Sequence, residues 1–441
     1  MKITIFKRLI FILAILPSLA YGQQPVTLQE CLAIGLENNY DIRLVRNRER
    51  ISENNATIGN AGFMPSVDLS AGYSGTLNDT KQYPTEGDAV TANGIHNQAA
   101  NAGVNLSWTV FDGFRVQTSY KRLNELNRMG ELNTRMQVEN FISNFTAEYY
   151  NYIRQQITLK NLEYAMELSR ERVRIVHVSA EIGSLSGYDL MQARVDFNAD
   201  SSRLIKQHEV LHTLSTQLNE MLAAANVDVP LMVADFAIDY NPALSRGELW
   251  QKAVENNVYL RIARKEGDIS RLDLKAAQSR NYPYLRLNGG YGYSGNWYGS
   301  GTFDRQRTMG ANYGVTLGFT IFDGMNRRRE QRNARIELQN RELEYEQTEL
   351  AVNVDMANAW MAYENNLKLI ELERANLETA RTGYELAFER YKNSQLSGIE
   401  LREAQTSLLD AEERFVQVLY NTKMCEISLM QIAGLITVYL E

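Results

Sequence analysis

The residues best placed to do chemistry are His208, Glu209 and His212. In His208-Glu209-Val210-Leu211-His212 two imidazoles stand four positions apart, one helical turn, where they could hold zinc while Glu209 served as base. A hydrolytic zinc centre needs a third protein ligand and an open position. No convincing third ligand follows, and the later repeat of this segment carries Leu419 and Lys423 in place of the histidines. Zinc hydrolysis, and enzyme activity with it, is not expected. A Gly-rich phosphate loop with its Lys is also missing, so no nucleotide site and no cofactor are expected. Cys31 and Cys425 are too few for a disulfide scaffold. Two buried thiols are the expectation, with a single bridge as the alternative. Arg327, Arg328 and Arg329 read as a solvated helix face, with lipid headgroup contact as the other option.

The elements around these residues come next. Lys2, Lys7 and Arg8 precede an apolar run from Leu9 to Leu16, and Ala20-Tyr21-Gly22 offers a small-x-small cut before Gln23. This reads as a signal peptide over 1–22, too short for a membrane span. Without it the formal charge moves from -7 to -10, which argues against nucleic acid as a partner. Beyond Gln23 no run of about 18 apolar residues predicts a transmembrane helix. None of the prolines falls between Pro84 and Pro230, and none follows Pro283. An interior proline costs a helix about 3 kcal/mol, so two such segments predict two very long helices.

The chain is a tandem repeat. Glu30 through Glu37-Asn38-Asn39 returns as Glu248 through Glu255-Asn256-Asn257, and Pro65 returns as Pro283. Phe111-Asp112-Gly113 returns as Phe322-Asp323-Gly324, and Leu185-Ser186-Gly187 as Leu396-Ser397-Gly398. Repeat 1 is placed at 23–240 and repeat 2 at 241–441. Each predicts a short helix (about 27–38 and 245–256), a second helix (about 40–62 and 258–281), two strands, a helix of about 70 residues, and a returning helix (about 188–224 and 399–435). Strands are expected at about 65–78, 101–111, 283–297 and 310–322. The Gly/Tyr/Asn/Asp-rich stretches near 74–100 and 292–310 read as loops. Asp112 and Asp323 suit the N-caps of the long helices. The returning helix is about half the length of its partner, and the helix before the strands, laid end to end with it, would make up the difference.

The strand segments alternate with period two, as in Val67, Leu69, Ala71, Tyr73 and in Val315, Leu317, Phe319, Ile321, with polar residues between. That fits strands with one face in lipid. Tyr73, Tyr291, Tyr293, Trp297, Tyr298, Phe303 and Trp108 predict an aromatic girdle. Four strands cannot close, and an open edge in lipid leaves backbone groups unpaired. Three chains would supply twelve strands, enough for a lumen.

Together the Glu-Asn-Asn helix ends, Pro65 and Pro283, the duplicated Phe-Asp-Gly and the duplicated Leu-Ser-Gly turns resemble the TolC-like outer-membrane efflux protein family, over nearly the whole chain past Gln23. The resemblance implies a mainly α fold with a membrane β part. In it a tandem repeat of long antiparallel helices forms an α-helical barrel, and four strands per chain complete a trimeric 12-stranded β-barrel. It implies a homotrimer in the outer membrane with a periplasmic tunnel, in contact with outer-membrane lipid. It also implies a periplasmic adaptor protein and, indirectly, an inner-membrane pump of RND or ABC type, hence passive export in a tripartite efflux or type I secretion system. By the same resemblance Gly183, Ser184, Leu185, Ser186 and Gly187, with Ser394, Gln395, Leu396, Ser397 and Gly398, are tips that meet the adaptor. Glu400 and Glu403, with Asp189 in the first repeat, match the acidic constriction at the tunnel's narrow end. First-turn charge that merely stabilises a helix N-terminus is the competing reading of these acids. An alternative for the whole chain is a periplasmic coiled-coil adaptor or structural protein without a pore, although no lipoyl-like insertion is present.

Overall fold

The computed structural model describes residues 25–440; the signal-peptide reading at 1–22 lies outside them. In chain order the elements are α1 (Leu28–Asn38), α2 (Tyr40–Asn55), α3 (Ile58–Ala61), β1 (Ser66–Gln82), β2 (Val90–Phe111), α4 (Arg115–Glu181) and α5 (Gly187–Met221). The second half repeats the plan with α6 (Arg246–Asn256), α7 (Val258–Ser279), β3 (Tyr284–Trp297), β4 (Arg305–Gly318), α8 (Asn326–Lys392) and α9 (Gly398–Ile432), closed by a 3-10 turn at Ile436–Leu440. Among the described residues no helix is long and apolar enough to cross a membrane.

The helices α4 and α8 each run 67 residues, about 100 Å at 1.5 Å per residue. Their partners α5 and α9 have 35 residues each. One asparagine per repeat makes up the missing length. Asn39 Oδ1 accepts from the N–H groups of Asp41 and Ile42 at the start of α2, and its Nδ2 donates to the carbonyl of Met221, the last residue of α5, at 2.9 Å. Asn257 does the same between α9 and α7: Oδ1 takes the N–H groups of Tyr259 and Leu260, and Nδ2 donates to Ile432 O at 2.9 Å. A helix start and a helix end each leave backbone groups unpaired, and one amide side chain satisfies both. The stacked pairs α5–α2 and α9–α7 pack along α4 and α8. Each chain is thus four rods side by side: α2/α5, α4, α7/α9 and α8.

The four strands form one antiparallel sheet in the order β1-β2-β3-β4. The first hairpin is longer than the sequence predicts. The β1–β2 ladder runs up to Gln82 opposite Val90, so most of 74–100 is strand and the loop shrinks to 83–89. Likewise β3 and β4 pair up to Trp297 opposite Arg305. Glycine and asparagine lower strand propensity, but an antiparallel ladder satisfies the backbone whatever the side chains are. At the other end β4 stops at Gly318, opposite Tyr284, and not near 322. The next partner would be Pro283, which has no N–H to continue the ladder.

The apolar strand face is bare in one chain: Leu69 is 81% exposed, Leu317 73% and Tyr313 93%. From Leu287, which pairs with Trp108, to Trp297 the strand climbs about 33 Å at 3.3 Å per residue. Trp108 and Trp297 therefore mark two rims about 25 Å apart once the strand is tilted. Tyr291 and Tyr293 sit between these rims, at mid-height, and so fall outside a girdle, whereas Tyr73 pairs with Ala100 level with Gly295, one same-face step from Trp297.

Both layers have open edges. β1 pairs only with β2, and β4 only with β3. In the helical layer the outer rods carry apolar residues at heptad spacing, each at least half exposed: Leu44 and Ile51 on α2 at one edge, and Ile336, Leu343 and Leu350 on α8 at the other. Such a seam is what a packed neighbouring helix covers. Closure by further copies, three giving twelve strands, pairs both kinds of edge.

The Phe-Asp-Gly corners show a difference. Asp112 Oδ1 accepts from Val116 N at 3.1 Å and Asp323 Oδ2 from Arg327 N at 3.0 Å, so the carboxylates do cap. The cap positions themselves are Phe114 and Met325, each in a left-handed turn after a left-handed glycine. Gly113 has a second reason to be glycine, since a Cβ there would lie 2.2 Å from Ser279 O. Cys31 and Cys425 are unpaired and sit in different core clusters, and burial pushes the Cys31 thiol up to about 12.

Asparagine joints give a sharp prediction. Aspartate is as good an N-cap as asparagine, yet Asn257→Asp keeps only the acceptor and sets a carboxylate against the α9 carbonyl. It should destabilise at least as much as Asn257→Ala, by about 1–3 kcal/mol, in thermal unfolding. A harmless Asn257→Asp would contradict the double role.

Candidate gate and docking site at the helical tips

The far ends of the two hairpins are built alike. After α4 the chain turns through Gly183 (φ 78), and Ser186 caps α5: its hydroxyl accepts from Asp189 N, while Asp189 Oδ2 accepts from Ser186 N at 3.0 Å. After α8 the turn passes through Ser394 (φ 56), and Ser397 caps α9 with Glu400, whose Oε2 accepts from Ser397 N at 2.9 Å. Both are capping boxes, which satisfy two helix-end donors reciprocally. Ser394 thus occupies, as a non-glycine, the left-handed position that Gly183 fills in the first repeat.

The three acids read from sequence do different things. Asp189 and Glu400 are engaged by their serines, which hold both carboxyls below the usual carboxylate range. Glu403 is exposed and has no hydrogen-bond or ion-pair partner among the described residues. Asp189 and Glu403 line one groove of about 680 Å³ between the hairpins, together with Arg172, Tyr188, Tyr391 and Ile399. Glu400 lies outside that lining.

Above the groove a buried polar cluster ties the hairpins together. Asp200 on α5, only 1% exposed, receives Arg402 of α9 at 2.6 and 2.8 Å and the Ser169 hydroxyl of α4 at 2.5 Å. Gln405 of α9 adds bonds to Ala165 O at 3.1 Å and Ser169 Oγ at 3.2 Å. Burial alone would raise the Asp200 carboxyl, but Arg402 and Ser169 outweigh it and bring it below its ordinary value. Its stabilising effect is therefore present above the usual carboxylate range and lost only as pH falls through the depressed value. Arg172, also buried, pairs with Asp196 across α4 and α5. Sequence reasoning missed Asp200, Arg402, Arg172 and Asp196. Their available signal was charge at helix positions that would otherwise belong to the apolar stripe.

His208, Glu209 and His212 lie exposed on α5, and no group of three or more His, Cys, Asp or Glu among the described residues is arranged to hold a metal.

Paired rods, strand hairpins and capped tips all occur twice, and so does the match to known proteins. The sequence model of a family described as Outer membrane efflux protein matches residues 33–224 and 249–435. The chain belongs to the outer membrane efflux protein family. It is similar to Outer membrane protein TolC of Vibrio cholerae, 24% identical over 329 residues that cover 72% of this chain and 70% of that protein. The Campylobacter jejuni CmeC outer membrane channel has the same fold at a TM-score of 0.78 and 18% identity, with 92% of this chain and 85% of that one covered. The open state of the Neisseria gonorrhoeae MtrE outer membrane channel gives 0.73 at 16%, with 92% and 89% covered. The chain is an outer-membrane efflux channel protein with a periplasmic extension, not an enzyme and not a pore-less adaptor.

Two predictions follow from the tip geometry. Ser394→Gly relieves a left-handed conformation and should stabilise the second tip by about 1 kcal/mol, read as slower amide exchange at residues 394–398. Faster exchange would mean that the serine side chain holds the turn. Arg402→Ala leaves the buried Asp200 with only the Ser169 hydroxyl and the more distant Arg203, at 3.9 Å, as partners, a loss of up to about 3–5 kcal/mol. The double variant with Asp200→Ala should recover part of that in thermal unfolding, and no recovery would deny the pairing.

Proposed function

We propose that three copies of this chain form the passive outer-membrane exit of a tripartite efflux or type I secretion system. Cargo would be delivered by an inner-membrane pump of RND or ABC type through a periplasmic adaptor docked on the helical tips. The observation that carries the docking reading is the apolar surface there. Ile182 is 76% exposed, Tyr188 72% and Ile399 73%, on turns whose backbones are already satisfied by their capping boxes. Water-exposed apolar side chains clustered beside a groove are a protein-binding signature. The residues offered to the adaptor are Gly183 to Gly187 and Ser394 to Gly398, flanked by these three.

The gate reading rests on the same end of the molecule. Repeated by threefold symmetry, Glu403 supplies a ring of unpaired carboxylates, with Asp189 beside it in the groove. Such a ring favours cations and binds divalent ions that slow flow. Glu400 has first a capping duty and contributes its charge from within the box. The Asp200–Arg402 cluster restrains the two hairpins relative to each other, so loosening it widens the tip. Energy comes from the pump; this chain supplies the path.

Planar-bilayer recordings test the gate. Glu403→Gln should lower cation selectivity and weaken block by divalent ions, and Glu400→Gln should change both less. Equal, unaltered selectivity in both variants would remove the gate reading and leave the conduit untouched.

A further inference from the structure

The sheet register fixes which residues share the face opposite the lipid, because directly paired residues point to the same side. One row across the four strands reads Asp68, Asn105, Gly290, Asn312. The next row reads Ser70, Gly103, Gly292, Gly310. The remaining rows of this face, from Ser66 up to Ser74, hold only Ser, Thr, Asn, Gln, Gly and Ala. The charged residues of the wall are Asp68 and, two rows lower, Arg286, one of each sign, so the face carries no net charge.

Amides dominate what remains. Asn105 Nδ2 donates to Ser70 Oγ at 3.1 Å. The side-chain oxygens of Asn105 and Asn312 lean over Gly290, where a Cβ would lie 3.0 Å from one and 2.5 Å from the other. The row above has three glycines and one serine, leaving nearly bare backbone as the floor of a depression in the wall. The rings of Asp68 and Arg286 carry opposite signs and stand only two rows apart on the same face, so their effects on a passing ion offset each other.

We propose that the membrane-spanning part of the channel is a neutral, amide-lined passage that exerts no charge selection. It takes hydrogen-bonding cargo of either sign or of none. All charge discrimination then sits at the helical end, a point that rests on the gate reading above. The asparagines supply both donors and acceptors, so a solute that has shed part of its water meets compensating partners along the wall.

The test uses the assembled protein in planar bilayers under a potassium chloride gradient. Asp68→Asn with Arg286→Gln removes both wall charges, and the cation-to-anion permeability ratio should stay within twofold of the unaltered channel. A larger shift in either direction overturns the proposal. Asn101→Asp installs a new ring of carboxylates on the same face and should raise the ratio at least threefold; a smaller change would mean that this face does not border the ion path, which overturns it equally. Should the double variant not assemble, Asn101→Asp still decides. Failure of Glu403→Gln to move the ratio would sink the gate alone, since it leaves the wall variants unaffected.

Discussion

An unpaired backbone edge is the constraint on which this architecture turns. In hydrocarbon each unsatisfied amide costs several kcal/mol, and the chain presents two such edges, β1 and β4, on a sheet of only four strands. The helical layer has the same incompleteness in another form, since the heptad seams on α2 and α8 are left at least half exposed within the chain. Both layers are open at corresponding flanks, and one operation closes both. The tandem repeat makes this possible: two similar units per chain let three chains imitate six, so a ring of helices and a ring of strands can share one axis.

Matching those rings requires rods of equal length, and here a single side chain per repeat matters. A helix of 35 residues cannot accompany one of 67. Asn39 and Asn257 splice a second helix onto the shorter one by satisfying a helix start and a helix end at once. Aspartate could not do so, since the joint needs an acceptor and a donor on one short side chain and an ionised carboxylate only accepts. The joint sits mid-rod beside the largest core cluster, where Tyr149 holds the inter-repeat segment through Asp235 and Tyr152 holds it through Leu231 O.

Much of this was legible in the residues. Proline-free spans announced α4 and α8, the repeated Glu-Asn-Asn announced the joints' location, and period two announced the strands. What was not legible has specific causes. The polar stretch through residues 79–98 looks like loop because propensity reads side chains, whereas a hairpin beyond the bilayer needs only its ladder. Asp112 and Asp323 were legible as caps but not the left-handed Phe114 and Met325, because side-chain chemistry does not announce φ. Nor could Asp200 and Arg402 be paired, lying 202 positions apart on different hairpins. At the tip, one acid pattern concealed two jobs, helix capping by Asp189 and Glu400 and free charge on Glu403, which only hydrogen-bond partners tell apart.

Stoichiometry in detergent is the most direct measure of whether shared edges organise the molecule. Native mass spectrometry of the extracted protein should give a single species of three chains that persists when the apolar surfaces are covered by detergent alone. A stable single chain under those conditions, with β1 and β4 left open, would contradict the account at its root.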